Sequence, residues 1–316
     1  MESAKERVRL GAPSAAEPLD LRGKTVVVTG GSDGVGRAAI MQLVRAGGSV
    51  VMVGRNEAKT QAAASSIMSL TGRRAVEVEI ADLSLQEEVR SLAGRLRQRH
   101  AHLHILVNNA GAIFMDRKLT SEGLERTFAL NHLAYFTLSL LLLDRMVAAH
   151  TPGSPARLIN VSSRAHVNGR LRLNDLQYDR GYGGWRAYRA SKLCNILFTR
   201  ALARRIEREL LVVHAVHPGL VSTRFAKNNG TIGRLMRRAM DVASITPEQG
   251  ADTVVWLTGA KEATRTSGDY WVKRERVEPS SQARDDTAAD ALWAASAALS
   301  GLDADSIVRD AVTAVG

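Results

Sequence analysis

Short β-branched runs alternate with longer amphipathic stretches from about residue 24 to about residue 272. Lys24-Thr-Val-Val-Val-Thr-Gly30 is an apolar run closing on glycine, the pattern of a buried strand. Comparable runs follow at residues 49–54, 75–80, 104–108, 156–162, 211–217 and 268–272. Between them, residues 34–46, 56–71, 84–99, 121–149, 184–209 and 246–257 have the length and periodicity of helices. Two helix starts carry capping signatures: Ser84-Leu-Gln-Glu87 has the spacing of a capping box, and Thr246-Pro247-Glu248-Gln249 adds proline at the first helical position. Parallel strands need crossover connections, and those connections are right-handed. The alternation therefore predicts an α/β fold: a single-domain, doubly wound parallel sheet of about seven strands with helices on both faces. Residues 21–300 form this domain, between a loose N-terminal tail at 1–20 and a C-terminal tail at 301–316.

Composition narrows the function classes. The chain has 316 residues, 45% of them hydrophobic, which is enough for one large core. Its single cysteine, Cys194, excludes an internal disulfide and suits a reducing, cytoplasmic setting. The net charge of +11 invites a nucleic-acid reading. However, the basic residues are dispersed among acids, as in Arg204-Arg205-Ile206-Glu207-Arg208-Glu209, and aromatics make up only 4%. No basic stripe with interleaved stacking residues is present, so nucleic acid is not the expected partner. The first residues lack the charged-then-apolar order of a secretory signal. The greasiest stretch, 127–143, contains Asn131 and His132 and is too short for a bilayer span. No His, Cys or carboxylate cluster has metal-ligand spacing.

Two constellations carry chemistry. Tyr188 and Lys192 lie four residues apart, which puts a phenol and an ammonium on one helix face. A cation held near a phenol favours the phenolate, so the pair is expected to bring the tyrosine pKa down from about 10 and allow proton exchange near neutrality. Far upstream, Thr29-Gly30-Gly31-Ser32-Asp33-Gly34-Val35-Gly36 joins the first strand to the first helix. Glycines there permit a tight turn and close approach of a pyrophosphate to a helix N-terminus. The end of the second strand lacks the acid that would bind ribose hydroxyls; it has Gly54-Arg55-Asn56, and Arg37 follows the glycine loop. Two guanidiniums there favour the 2′-phosphate of NADP(H) over NAD.

With these residues assembled, the chain resembles the short-chain dehydrogenase/reductase family and, within it, the retinol dehydrogenases. The likeness spans about residues 22–300. It rests on Thr29-Gly-x-x-x-Gly34-x-Gly36, Asp82-Leu83, Asn108-Asn109-Ala110-Gly111, Asn131-His132, Asn160-Val-Ser-Ser163, Tyr188-x-x-x-Lys192 and His217-Pro218-Gly219. The resemblance implies a Rossmann-type sheet and an enzyme of the CH–OH class. Asp82 and Leu83 would meet the adenine, and Asn108, Asn109, Ala110 and Gly111 would form the cofactor wall. Pro218, Gly219, Val221 and Thr223 would line the nicotinamide and phosphate side. Ser163 would bind the substrate oxygen, Tyr188 would pass the proton, Lys192 would hold the nicotinamide ribose, and Asn131 would steady a water. Ser162 competes with Ser163 for the serine role; the motif matches Ser163, while Ser162 would finish the strand. His166 and His217 are expected to be structural, Cys194 an inert packed thiol, and residues 167–184 an excursion beside the site. A lid over 222–245, with Leu235, Met236, Ala239 and Met240 on one face, suits a bulky lipophilic carbonyl or alcohol. The same segment could touch a membrane surface. Oligomeric state stays open between monomer and homodimer. A non-catalytic NADP(H)-binding regulator is the alternative reading.

Overall fold

The computed structural model describes residues 19–219 and 245–315. The expected lid apart from Ile245, the sites Val221 and Thr223, and residues 1–18 of the N-terminal tail lie outside the described residues. Strands β1 (Thr25–Thr29), β2 (Ser49–Gly54), β3 (Val76–Ile80), β4 (Ile105–Asn108), β5 (Ala156–Val161), β6 (Leu211–His217), β7 (Tyr270–Val272) and β8 (Glu275–Arg276) form one sheet. Its order is β3-β2-β1-β4-β5-β6-β7-β8. All neighbours are parallel except β7 and β8. The expected seven parallel strands are thus present, and the eighth is a short hairpin return. Its two-residue turn, Lys273-Arg274, has positive φ at both positions (52° and 62°).

Strand order reverses at β1, whose neighbours β2 and β4 lie on opposite sides. In open α/β sheets, ligands bind outside the carboxyl ends of the strands at such a reversal. Side chains alternate across the sheet, and both faces are covered. Val26 and Val28 enter one core with helices α1 (Gly34–Arg45), α2 (Glu57–Thr71) and α8 (Pro247–Leu257). Val27 enters the other with α3 (Gln86–Arg99), α5 (Ala134–Leu141), α6 (Leu143–Val147) and α7 (Gly184–Ala203), joined by α9 (Asp286–Ser300) and α10 (Ala304–Thr313). Burial on both faces explains why the strands are continuous apolar runs.

Three expectations are corrected. Residues 121–149 are not one helix: α4 (Arg126–Phe128), a π-helical segment at Ala129–Leu133, α5 and α6 succeed one another. The Ser84 capping box does not form, because α3 begins at Gln86 and the Ser84 hydroxyl donates to Asp82 Oδ1 at 2.7 Å. The first N–H groups of α3 are capped from a distance by Glu122, whose carboxylate accepts from Gln86 N at 2.7 Å and Glu87 N at 2.8 Å. Finally, the expected C-terminal tail contains α10, which buries Ala304, Val308 and Ala311 in the core shared with α5 and α6. By contrast, the Thr246 capping box forms in both directions at the start of α8.

Candidate active site

Glycine at two positions lets the loops after β1 and β4 close on each other. A Cβ on Gly36 would stand 2.4 Å from the Gly30 carbonyl oxygen and 2.5 Å from Asn109 Nδ2, so no side chain fits. Gly30 itself has φ 67° and lies against Ala110. Hydrogen bonds fasten the same junction. Thr29 Oγ1 accepts from Asn109 N at 2.9 Å and Ala110 N at 3.0 Å, while Asn109 Nδ2 donates to the Thr29 carbonyl at 2.8 Å. Asp33 caps α1 by accepting from Gly34 N at 2.9 Å. The positive end of the α1 dipole, with Ser32 and Val35 beside it, therefore opens onto the carboxyl edge of the sheet.

Cations gather at the end of β2. Arg55 Nη1 lies 3.5 Å from Asp82 Oδ2, and Arg37 Nη2 donates to Ser66 Oγ at 3.0 Å. Lys59, one turn into α2, forms an ion pair with Asp33 at 2.8 Å. The sequence reading missed Lys59; the signal was its place three residues past Asn56, the α2 cap, whose side chain accepts from Lys59 N. Asp82 turns its other oxygen to Ser84, and Leu83 is buried behind it. Asn108, expected in the cofactor wall, points into the molecule instead, bonding Ser139 Oγ at 2.9 Å and Asn160 Oδ1 at 3.0 Å.

The proton-transfer candidates converge on that wall. A Cβ on Gly111 would lie 3.2 Å from Asn131 Oδ1 and 3.5 Å from Lys192 Nζ. Asn131 sits in the π-helical segment, a local geometry frequent at functional sites. Its side chain accepts from Ala112 N at 2.9 Å and donates to the Ala112 carbonyl at 2.9 Å and Ser191 Oγ at 3.1 Å, tying the wall to α7. Ser162 is committed elsewhere, donating to the Lys192 carbonyl at 2.7 Å. Ser163 starts a 3-10 turn and shares a hydrogen bond with the Tyr188 phenol. His166 clamps the serine turn: Nδ1 meets the Ser163 carbonyl at 2.7 Å and Nε2 accepts from Ser280 N at 3.2 Å. His217, which ends β6, is buried, and burial pushes its pKa down to about 4. Pro218 and Gly219 follow it, and Gly219 has φ 95°.

Burial, not charge pairing, sets the resting protonation of the pair. Tyr188 is 8% exposed and its pKa is pushed up to about 12 by loss of solvent, against a smaller downward pull from Ser163. Lys192 is 3% exposed and falls to about 7 for the same reason. Its ammonium donates to the Val161 carbonyl at 3.0 Å and lies 5.8 Å from the Tyr188 ring centre. The expected lowering of the phenol by Lys192 is therefore absent from this geometry. Trp185, one turn before Tyr188, was also missed; its ring meets the tyrosine edge-on at 6.0 Å. Spacing alone could have found it, since positions 185, 188 and 192 share a helix face.

Among the described residues, no group of three or more His, Cys, Asp or Glu side chains could hold a metal ion. Likewise, no helix among them is long and apolar enough to cross a membrane. The pattern describing the short chain dehydrogenase family matches residues 24–231. Retinol dehydrogenase 12 of Mus musculus is 37% identical over 284 residues, covering 90% of this chain and 88% of that protein. Among solved structures, an uncharacterized protein from Mycobacterium paratuberculosis is similar with a TM-score of 0.71 and 31% identity, covering 90% of this chain and 96% of that one. The RhlG/NADP active-site complex of Pseudomonas aeruginosa is similar with a TM-score of 0.64 and 27% identity, over 80% of this chain and 96% of that one.

Proposed function

The chain belongs to the short-chain dehydrogenase family, and on that premise we propose an NADP(H)-dependent oxidoreductase interconverting a carbonyl and an alcohol. One observation carries this reading: Ser163, Tyr188 and Lys192 meet beside the Gly111 wall, at the sheet edge that the glycine turn also faces. The residues present suit a dinucleotide. The α1 N-terminus and its turn would take the pyrophosphate, and Lys192 and Gly111 the nicotinamide half. Arg37, Arg55 and Lys59, with no acid ending β2, would suit a ribose 2′-phosphate. The NADP bound in the RhlG complex supports the same preference.

When bound, the nicotinamide supplies the hydride for reduction and accepts it in oxidation. Ser163 Oγ and the Tyr188 hydroxyl would hold the carbonyl oxygen, stabilising its growing negative charge. With its pKa pushed up to about 12, the phenol keeps its proton at neutral pH and can donate it to that oxygen. Asn131 keeps the wall and α7 in register throughout. Reduction with NADPH is the proposed cellular direction. We take the substrate to be a bulky, lipophilic small molecule, because Trp185 offers an apolar ring beside the phenol. A reducing, cytoplasmic setting is part of the proposal, since the single Cys194 can form no internal disulfide.

Purified protein should consume NADPH when offered lipophilic aldehydes or cyclic ketones, followed as loss of absorbance of the reduced nicotinamide. Tight NADPH binding with no turnover across such a panel would instead identify a nucleotide-binding regulator.

A further inference from the structure

Beneath the Tyr188–Lys192 face of α7 runs a chain of buried polar side chains that the proton transfer does not use. Asn195 Nδ2 donates to the Val161 carbonyl at 3.2 Å, the oxygen that also accepts Lys192 Nζ at 3.0 Å. Asn195 Oδ1 lies 3.4 Å from His132 Nδ1, and His132 Nε2 lies 2.9 Å from Ser296 Oγ on α9. Lys192, Asn195, His132 and Ser296 are each at most 3% exposed. Only one assignment of donors satisfies this chain. A carbonyl can only accept, so the amide nitrogen of Asn195 must face Val161 and its oxygen must face the imidazole. His132 then carries its proton on Nδ1 and takes the Ser296 hydroxyl at Nε2. A neutral ring with a single N–H agrees with burial pushing its pKa down to about 4.

We propose that Asn195, oriented by His132, is a positioning residue for Lys192: it holds the Val161 carbonyl where that oxygen aims the ammonium at the cofactor wall. The two donors share one acceptor. Lys192 carries three N–H donors, so it can keep Val161 and still offer the others to a bound ribose, provided that carbonyl stays in place. Asn195 bonds the same oxygen at 3.2 Å and so fixes the anchor about which the ammonium is aimed. The α9 helix, through Ser296 and His132, thereby helps to set an active-site lysine although it lies outside residues 24–231.

This inference rests on Lys192 engaging the nicotinamide cofactor, as proposed above. The test is a double-mutant cycle read by NADPH dissociation constants from fluorescence titration, with no turnover required. Asn195→Leu should weaken NADPH about tenfold in the otherwise native chain. In a Lys192→Met background the same change should have less than about a twofold effect, because the group it acts through is gone. His132→Leu should behave like Asn195→Leu, whereas His132→Asn, which retains an N–H donor, should keep near-native affinity. Equal tenfold losses in both backgrounds, or failure of His132→Asn to restore affinity in a folded protein, would overturn the proposal and leave a packing role only. Should Asn195→Leu fail to fold, Asn195→Ala serves in the same cycle with the same two outcomes. Absence of nicotinamide binding by the native chain would instead remove the cofactor reading itself, and this inference with it.

Discussion

Two opposed effects can act on a phenol beside an ammonium, and their balance decides whether Tyr188 holds its proton. A cation near a phenol lowers its pKa, whereas burial raises it. Here the ammonium is turned to Val161, and burial prevails at both groups. Tyr188→Phe removes the transferable proton while keeping the ring, so kcat should fall by roughly 10²–10⁴-fold with NADPH affinity within about twofold. At the end of β2, Arg55→Asp should repel a 2′-phosphate; the ratio of NADPH to NADH dissociation constants then moves toward NADH by at least about tenfold. An unchanged ratio would rule out Arg55 as the discriminating group. The Tyr-x-x-x-Lys spacing and the glycine turn were legible in the sequence because each is local. Lys59 was not, since its ion pair with Asp33 joins residues 26 apart. Histidines carry a pH signature of the same origin. His132 and His217 fall from 6.5 to about 4 on burial, so between those values the unfolded chain binds more protons than the folded one. Their stabilisation is complete above pH 6.5 and is lost as pH falls toward 4, at about 1.4 kcal/mol per unit for each. Urea unfolding at pH 5 should therefore show a native state weaker by about 4 kcal/mol than at pH 7 from these two groups.

Individual elements divide by whether their ends are held locally. Thr246-Pro247-Glu248-Gln249 predicted a helix start and forms one, since every partner lies within one turn. Ser84-Leu-Gln-Glu87 has equally good local chemistry, yet Asp82 takes the serine and Glu122 supplies the cap from 36 positions away. Glu122→Ala should cost about 1–2 kcal/mol, seen as a fall of a few degrees in the thermal midpoint. A smaller loss than from Thr246→Ala would show that the distant cap is the weaker one. The π-helical segment is likewise imposed from outside: Asn131 is fixed by Ala112 and Ser191, and the helix widens to deliver it. Apolar periodicity across 121–149 conveys that a helix exists there, not that one turn is expanded.

For the whole molecule, the doubly wound sheet followed from alternation alone, because buried parallel strands are continuous runs whatever their order. The C-terminal segment did not. Its helices are rich in alanine, and their attachment depends on distant groups: Arg204 and Arg205 both reach Asp290 on α9, and Trp293 Nε1 donates to Asp305 at 3.1 Å. Removing residues 301–316 withdraws Ala304, Val308 and Ala311 from the core beside α5 and α6. The truncated chain should unfold at least about 5 °C lower and bind a hydrophobic dye at neutral pH; unchanged melting would mean that α10 adds nothing to the core. The two rims of the sheet have a further consequence. On β3, Glu77 is bound by Arg99 and Glu79 by Arg95 and Arg99, and at the opposite margin the Lys273-Arg274 turn folds the chain back and is fastened to Asp252. Charge guards one border and a two-residue return strand closes the other, so neither invites a foreign β-segment to dock. The apolar interior of the sheet is thereby kept behind margins that are charged or only two residues long.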